Sequence, residues 1–198
     1  MQKKLKIKIG FFSLLLFLIL ALTRPDYFPA LFIAVSIHEL GHLVGARLCK
    51  IPLKELKLGI FGAGLTPSNS LISYKKEIIL CLFGPLANFF TVFICFVFKI
   101  KITSPVFYNF LLSSFALGTV NLLPIESFDG GRILSALLFL FLFISQDRAR
   151  RIVSVISFIF IFSLWSLSVY LLLRTASSLS LFVFSSYLFA KIFLRDNI

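Results

Sequence analysis

The chain has 198 residues, of which 59% are hydrophobic and 26 are phenylalanine, and this apolar fraction is too high for an ordinary soluble domain. Its net charge of +12 would suit a nucleic-acid-binding protein, but the basic residues lie in short loops between apolar runs and form no continuous basic face. We therefore expect no nucleic-acid partner. We expect instead that the protein lies in a lipid bilayer, whose anionic headgroups attract the basic loops.

Six apolar runs predict an all-α polytopic membrane protein with about six transmembrane helices, forming one integral membrane domain over residues 1–198. The runs lie at about 9–23, 28–49, 78–98, 106–125, 151–173 and 177–194. We interpret the first as a retained anchor, because no small-residue cleavage site precedes Arg24. Basic residues are enriched in cytoplasmic loops, and their distribution here predicts that both termini are cytoplasmic.

The second run contains His38 and His42, the two histidines of the protein, in the sequence HELGH. Residues four apart project from one face of a helix, so both imidazoles can bind one zinc ion. Glu39 lies beside them, where it can accept a proton from the attacking water. An acid at the centre of a span costs roughly 2.5 to 3.5 kcal/mol, and a dication offsets that cost. This spacing is typical of a metalloprotease helix and predicts a zinc site within the membrane.

The segment from about residue 50 to 77 differs from the other connections, since it is semi-apolar, rich in glycine and serine, and without helical periodicity. We predict a short membrane-associated β-hairpin here, whose free edge would dock an extended peptide. An ordinary cytoplasmic loop is the alternative interpretation.

A catalytic zinc ion needs a third protein ligand and an open position for water. Asp129, in the run NLLPIESFDGG, is the candidate, and Glu126 is the second choice. A straight helix through the fourth run would carry Asp129 deeper toward the cytoplasm than His38. The assignment therefore requires the helix to break near Pro124.

Three motifs together resemble those of the site-2 proteases, which are intramembrane zinc metalloproteases: HELGH, GPLAN at residues 84–88, and NLLPIESFDGG. The resemblance implies that His38, His42 and Asp129 bind one zinc ion and that Glu39 is the general base. It also implies a three-helix catalytic core within about residues 28–135. Gly62 and Gly64 resemble the glycines of the family's membrane-associated strand region.

Within that family, the chain is most similar to the stage IV sporulation protein FB group, without the CBS domain typical of that group. The resemblance implies a bacterial cell membrane, a membrane-tethered sigma-factor precursor or anti-sigma factor as substrate, and inhibitory membrane proteins as partners. We also assign substrate binding to Gly62, Gly64, Asn88 and Asn121, although asparagines within spans also bridge helices.

Two other functions would also bury histidine and aspartate within a membrane. One is a metal transporter, and the other is a zinc-binding scaffold that holds helices without cutting them. Transport would favour several sites along a path, whereas both histidines here occupy one helical turn. Glu39 argues against the scaffold, because a protein that does not cut has no need of a base.

Overall fold

The computed structural model describes residues 6–9, 22, 24–59, 62–67, 72–101, 104–175 and 179–195. Within these ranges the helices are α1 (Phe28–Leu48), α2 (Tyr74–Val97), α3 (Pro105–Asn121), α4 (Asp129–Leu142), α5 (Gln146–Thr175) and α6 (Leu179–Arg195). The strands are β1 (Lys6–Ile9), β2 (Leu53–Gly59) and β3 (Gly62–Pro67). The chain divides into two compact units, Met1–Leu122 and Leu123–Ile198.

Three of the described helices are long and apolar enough to cross a membrane: α1, α2 and residues Gln146–Arg174 of α5. The prediction of six spans is therefore supported for three of them. Helices α3 and α6 have only 17 residues each, and the predicted span at about 9–23 lies mostly outside the described residues. The span predicted at about 106–125 is longer than its helix, because α3 ends at Asn121 while the apolar sequence continues into a turn.

The strands form a sheet of order β1-β2-β3 in the first unit, with β2 and β3 in the segment where the sequence predicts strands. Strand β1 pairs parallel to β2, and β2 pairs antiparallel to β3, with Gly59 opposite Gly62 and Lys57 opposite Gly64. Strand β3 is therefore an edge strand among the described residues, and an edge strand has one side that the sheet does not pair.

Glycines on α1 allow this helix to approach α2 closely. A Cβ atom built at Gly41 would lie 2.8 Å from the Cβ of Ala87, and one built at Gly45 would lie 2.9 Å from the Cβ of Phe83. Small residues one turn apart let two helix backbones approach in an apolar environment. The HELGH helix is thus packed directly against the GPLAN helix.

The end of α1 is also attached to α2. Lys50 follows the helix in the left-handed conformation, with φ 53°, and the N–H of Ile51 donates to the carbonyl of Ala46 at 2.9 Å. This arrangement is a helix cap in which the residue after the turn packs back on the last helical turn. Ile51 is buried in a cluster with Ala46 and Leu80. Leu80 lies on α2, and its carbonyl oxygen is in contact with His42.

In the second unit, polar side chains join α5 to α6. Trp165 donates from its indole N–H to the hydroxyl of Ser186 at 3.1 Å, and the hydroxyls of Ser168 and Ser185 lie 2.9 Å apart. Both Ser168 and Ser185 are fully buried. Such hydrogen bonds hold helices together where lipid weakens the hydrophobic drive to associate.

Candidate metal centre

His38 and His42 meet on the buried face of α1. Their Nε2 atoms lie 3.1 Å apart, and the side chains are only 4% and 6% exposed. Two nitrogen ligands about 2.0–2.1 Å from a tetrahedral zinc ion would lie roughly 3.3 Å from each other. The spacing of the pair is thus compatible with two ligands of one ion, and their role as ligands stays a prediction.

The backbone of α2 determines the tautomer of His42. Its Nδ1 atom lies 2.8 Å from the carbonyl oxygen of Leu80. A carbonyl oxygen only accepts hydrogen bonds, so Nδ1 carries the proton and Nε2 keeps a lone pair for a metal. A ligand histidine that donates its other N–H in this way has a fixed ring orientation and a more basic ligand nitrogen.

Gly84 provides the space that the two imidazoles occupy. A Cβ atom at this position would lie 2.5 Å from Cε1 of His42 and 2.9 Å from Nε2 of His38. Any side chain at residue 84 would therefore overlap the ligands. Sequence reasoning gave Gly84 no role of its own, and its place in the GPLAN motif was the signal that could have drawn attention to it.

Glu39 follows His38 on α1 and is 7% exposed. It lies in a helix that is long and apolar enough to span a membrane. A carboxylate next to a metal-binding histidine is where a general base is needed.

Asp129 is the first residue of α4 and is 9% exposed. The break that this assignment requires is present, because α3 ends at Asn121 and α4 begins at Asp129, with Pro124 between them. A carboxylate is stabilised in the first turn of a helix by the helix dipole. Asp129 and Glu126 both belong to the second unit, and the choice of Asp129 as the third ligand stays a prediction.

The four residues assigned to substrate binding lie in different elements of the first unit. Asn88 is fully buried and donates from Nδ2 to the carbonyl of Ser114 at 3.2 Å, so it bridges α2 and α3. Asn121 donates to the carbonyl of Leu117 in its own helix at 3.0 Å. Gly62 and Gly64 lie on β3. Asn88 thus makes the helix-bridging contact that was the alternative interpretation, and its role in substrate binding stays a prediction.

Comparisons with known proteins agree with this chemistry. Residues 97–164, which contain Asp129, match the model of peptidase family M50. A zinc metalloprotease of Methanocaldococcus jannaschii is 34% identical over 116 residues, which are 56% of this chain and 34% of that protein. The chain therefore spans about a third of the length of this curated relative.

A solved structure, the site-2 protease from Methanocaldococcus jannaschii, is similar to this chain with a TM-score of 0.66 at 23% sequence identity. The similarity covers 95% of this chain and 89% of that structure. The predicted donors, two imidazoles and a carboxylate, are ligand types that suit a catalytic zinc ion. The chain thus has the fold of a site-2 protease, and its residues 97–164 match peptidase family M50.

Proposed function

We propose that this chain is an intramembrane zinc metalloendopeptidase, which hydrolyses a peptide bond within or near a transmembrane segment of a membrane-tethered protein. The observation that carries the proposal is the pair of buried Nε2 atoms, 3.1 Å apart, in a helix long enough to span a membrane. The hydrogen bond from Nδ1 of His42 to the carbonyl of Leu80 supports it, because this bond fixes the ring so that Nε2 can bind a metal.

The sequence motifs assign the ion to His38, His42 and Asp129, and Gly84 would leave the space that the two imidazoles need. When bound, zinc would polarise the scissile carbonyl and make an attacking water more acidic. Two histidines and one carboxylate are a ligand set of catalytic zinc sites, in which a fourth position stays open.

Glu39 is the general base of the proposed reaction. Its carboxylate takes a proton from water as the water oxygen bonds to the carbonyl carbon, and later gives that proton to the nitrogen as the C–N bond breaks. The products are a carboxylate and an amine, and no bond forms between the substrate and a side chain.

A transmembrane substrate must be unwound before hydrolysis, because a helix keeps its carbonyls in internal hydrogen bonds. The edge strand β3, with Gly62 and Gly64, is the proposed docking place for the unwound segment. Asn88 and Asn121 are proposed to contact it near the metal. The resemblance to the sporulation protein group named above supports a bacterial cell membrane and a sigma-factor precursor or anti-sigma factor as substrate. The distribution of basic residues supports cytoplasmic termini.

Removal of the metal tests the proposal directly. We expect the purified protein to contain one zinc ion per chain and to cleave a reporter with a single transmembrane segment in proteoliposomes. A chelator should abolish cleavage, and added zinc should restore it, because the proposed residues alone cannot polarise the carbonyl. Metal analysis and gel quantification of the fragments provide the measurements. Undiminished cleavage without zinc would contradict the mechanism, and stoichiometric zinc without any cleavage would favour a scaffold or a transporter.

Substitutions at Asp129 and Glu126 test the identity of the third ligand. We expect Asp129→Ala to lower zinc affinity by at least about 100-fold, because only two ligands remain. Glu126→Gln should bind zinc as the unaltered chain does, since the sequence motif assigns the third ligand to Asp129. Competition with a chromophoric chelator measures both affinities. The opposite result, with zinc lost in Glu126→Gln alone, would transfer the ligand role to Glu126.

A further inference from the structure

The turn between α3 and α4 leads directly to Asp129, and we name residues 123–128 the ligand loop. Several of its backbone groups are bonded within the loop or to the first turn of α4. The N–H of Ile125 donates to Leu123 at 2.7 Å, and the N–H of Phe128 donates to Ile125 at 2.8 Å. The N–H of Glu126 instead leaves the loop and donates to the hydroxyl oxygen of Ser157 at 2.8 Å.

Ser157 lies on α5 and is 1% exposed. Its hydroxyl donates to the carbonyl of Val153, one turn earlier, at 2.6 Å. A hydroxyl has one proton and two lone pairs, so this donation directs a lone pair toward the N–H of Glu126. The carbonyl of Pro124 lies 3.4 Å from the same oxygen. Ser157 therefore joins the ligand loop to α5.

Gly131 lets the ligand loop pack closely on α4. A Cβ atom at Gly131 would lie 2.5 Å from the carbonyl carbon of Ile125 and 2.7 Å from Cα of Glu126. The loop thus packs on the first turn of α4 with no room for a side chain, while Ser157 bonds it to α5. Asp129 lies between these two attachments in sequence, three residues after Glu126 and two before Gly131.

We propose that Ser157 is a positioning residue for Asp129: its hydroxyl fixes the ligand loop and so sets the direction of the carboxylate toward the metal. The inference rests on the proposed function, in which Asp129 is a zinc ligand. A residue that orients a metal ligand alters affinity and ligand geometry without touching the ion. Loss of the hydroxyl would also remove the hydrogen bond between the part-buried N–H of Glu126 and α5, which favours displacement of the loop.

Ser163 provides a matched control on the same helix. Its hydroxyl donates to the carbonyl of Ile159 at 2.8 Å, which is the same bond to the preceding turn, but its side chain is exposed. Ser157→Ala and Ser163→Ala therefore both remove a hydroxyl that bonds to its own helix. They differ in the bond to the ligand loop.

The experiment compares Ser157→Ala, Ser157→Thr and Ser163→Ala, each as the full chain in detergent, by zinc affinity and by the absorption spectrum of bound Co²⁺. We expect Ser157→Ala to weaken zinc binding by roughly 10- to 100-fold and to change the Co²⁺ spectrum. Ser157→Thr, which keeps the hydroxyl, and Ser163→Ala should behave as the unaltered chain. Unchanged affinity and spectrum in Ser157→Ala would overturn the inference.

A double substitution separates positioning from a general loss of structure. In an Asp129→Ala background, Ser157→Ala should cause no further loss of zinc affinity, because the residue that it positions is gone. An equal loss in both backgrounds would overturn the inference. Should Ser157→Ala not fold, Ser157→Cys replaces the hydroxyl with a weaker acceptor of similar size and must show the same pattern. Failure of the proposed function would appear separately, as an unaltered chain that binds no zinc.

Discussion

Glu39→Gln should abolish cleavage while zinc remains bound. We expect kcat to fall by about 10²- to 10⁴-fold, which is the contribution of a positioned general base. Glutamine has nearly the shape of glutamate, so the packing around this 7%-exposed side chain is kept, but its amide cannot accept the proton of the attacking water. Initial rates on the transmembrane reporter give kcat, and metal analysis of the same sample gives the zinc content.

Asp147→Asn is the matched control for this substitution. Asp147 is an exposed acid in the first turn of α5, and the same carboxylate-to-amide change there should leave the rate and the zinc content unchanged. Retention of most of the activity in Glu39→Gln would show that the base is another group. Loss of zinc together with activity would show that Glu39 acts as a ligand.

The histidine pair was predictable because its geometry is local. Residues four apart on a helix lie on one face whatever the rest of the chain does, so the two imidazoles can meet, and their Nε2 atoms are 3.1 Å apart. The break before Asp129 was predictable for a similar reason, since a proline at position 124 disfavours a continuous helix.

The end of α3 was not predictable from apolar length. The sequence stays apolar through Leu122, Leu123 and Ile125, whereas the helix ends at Asn121. Hydropathy measures how well a segment tolerates lipid, and it carries no information on where the backbone leaves the helical conformation. The predicted span at about 106–125 was therefore longer than its helix.

Contacts between helices were also not predictable from the sequence. The carbonyl of Leu80, which orients His42, is a backbone atom 38 residues away in the chain, and any residue type could supply it. The void at Gly84 becomes visible only when α1 and α2 are placed together. The motif GPLAN marks this helix, but the reason for its first glycine lies in the partner helix.

Gly84→Ala should therefore remove zinc from the protein, with an affinity lower by at least about 100-fold. The added methyl carbon would lie 2.5 Å from Cε1 of His42, closer than real contacts allow, so an imidazole must rotate away or α1 must leave α2. Gly118→Ala on α3 is the control, because its methyl would meet only ring carbons of Phe89, the nearest at 3.1 Å, and that ring can shift. Stoichiometric zinc in Gly84→Ala would show that the ligands are elsewhere.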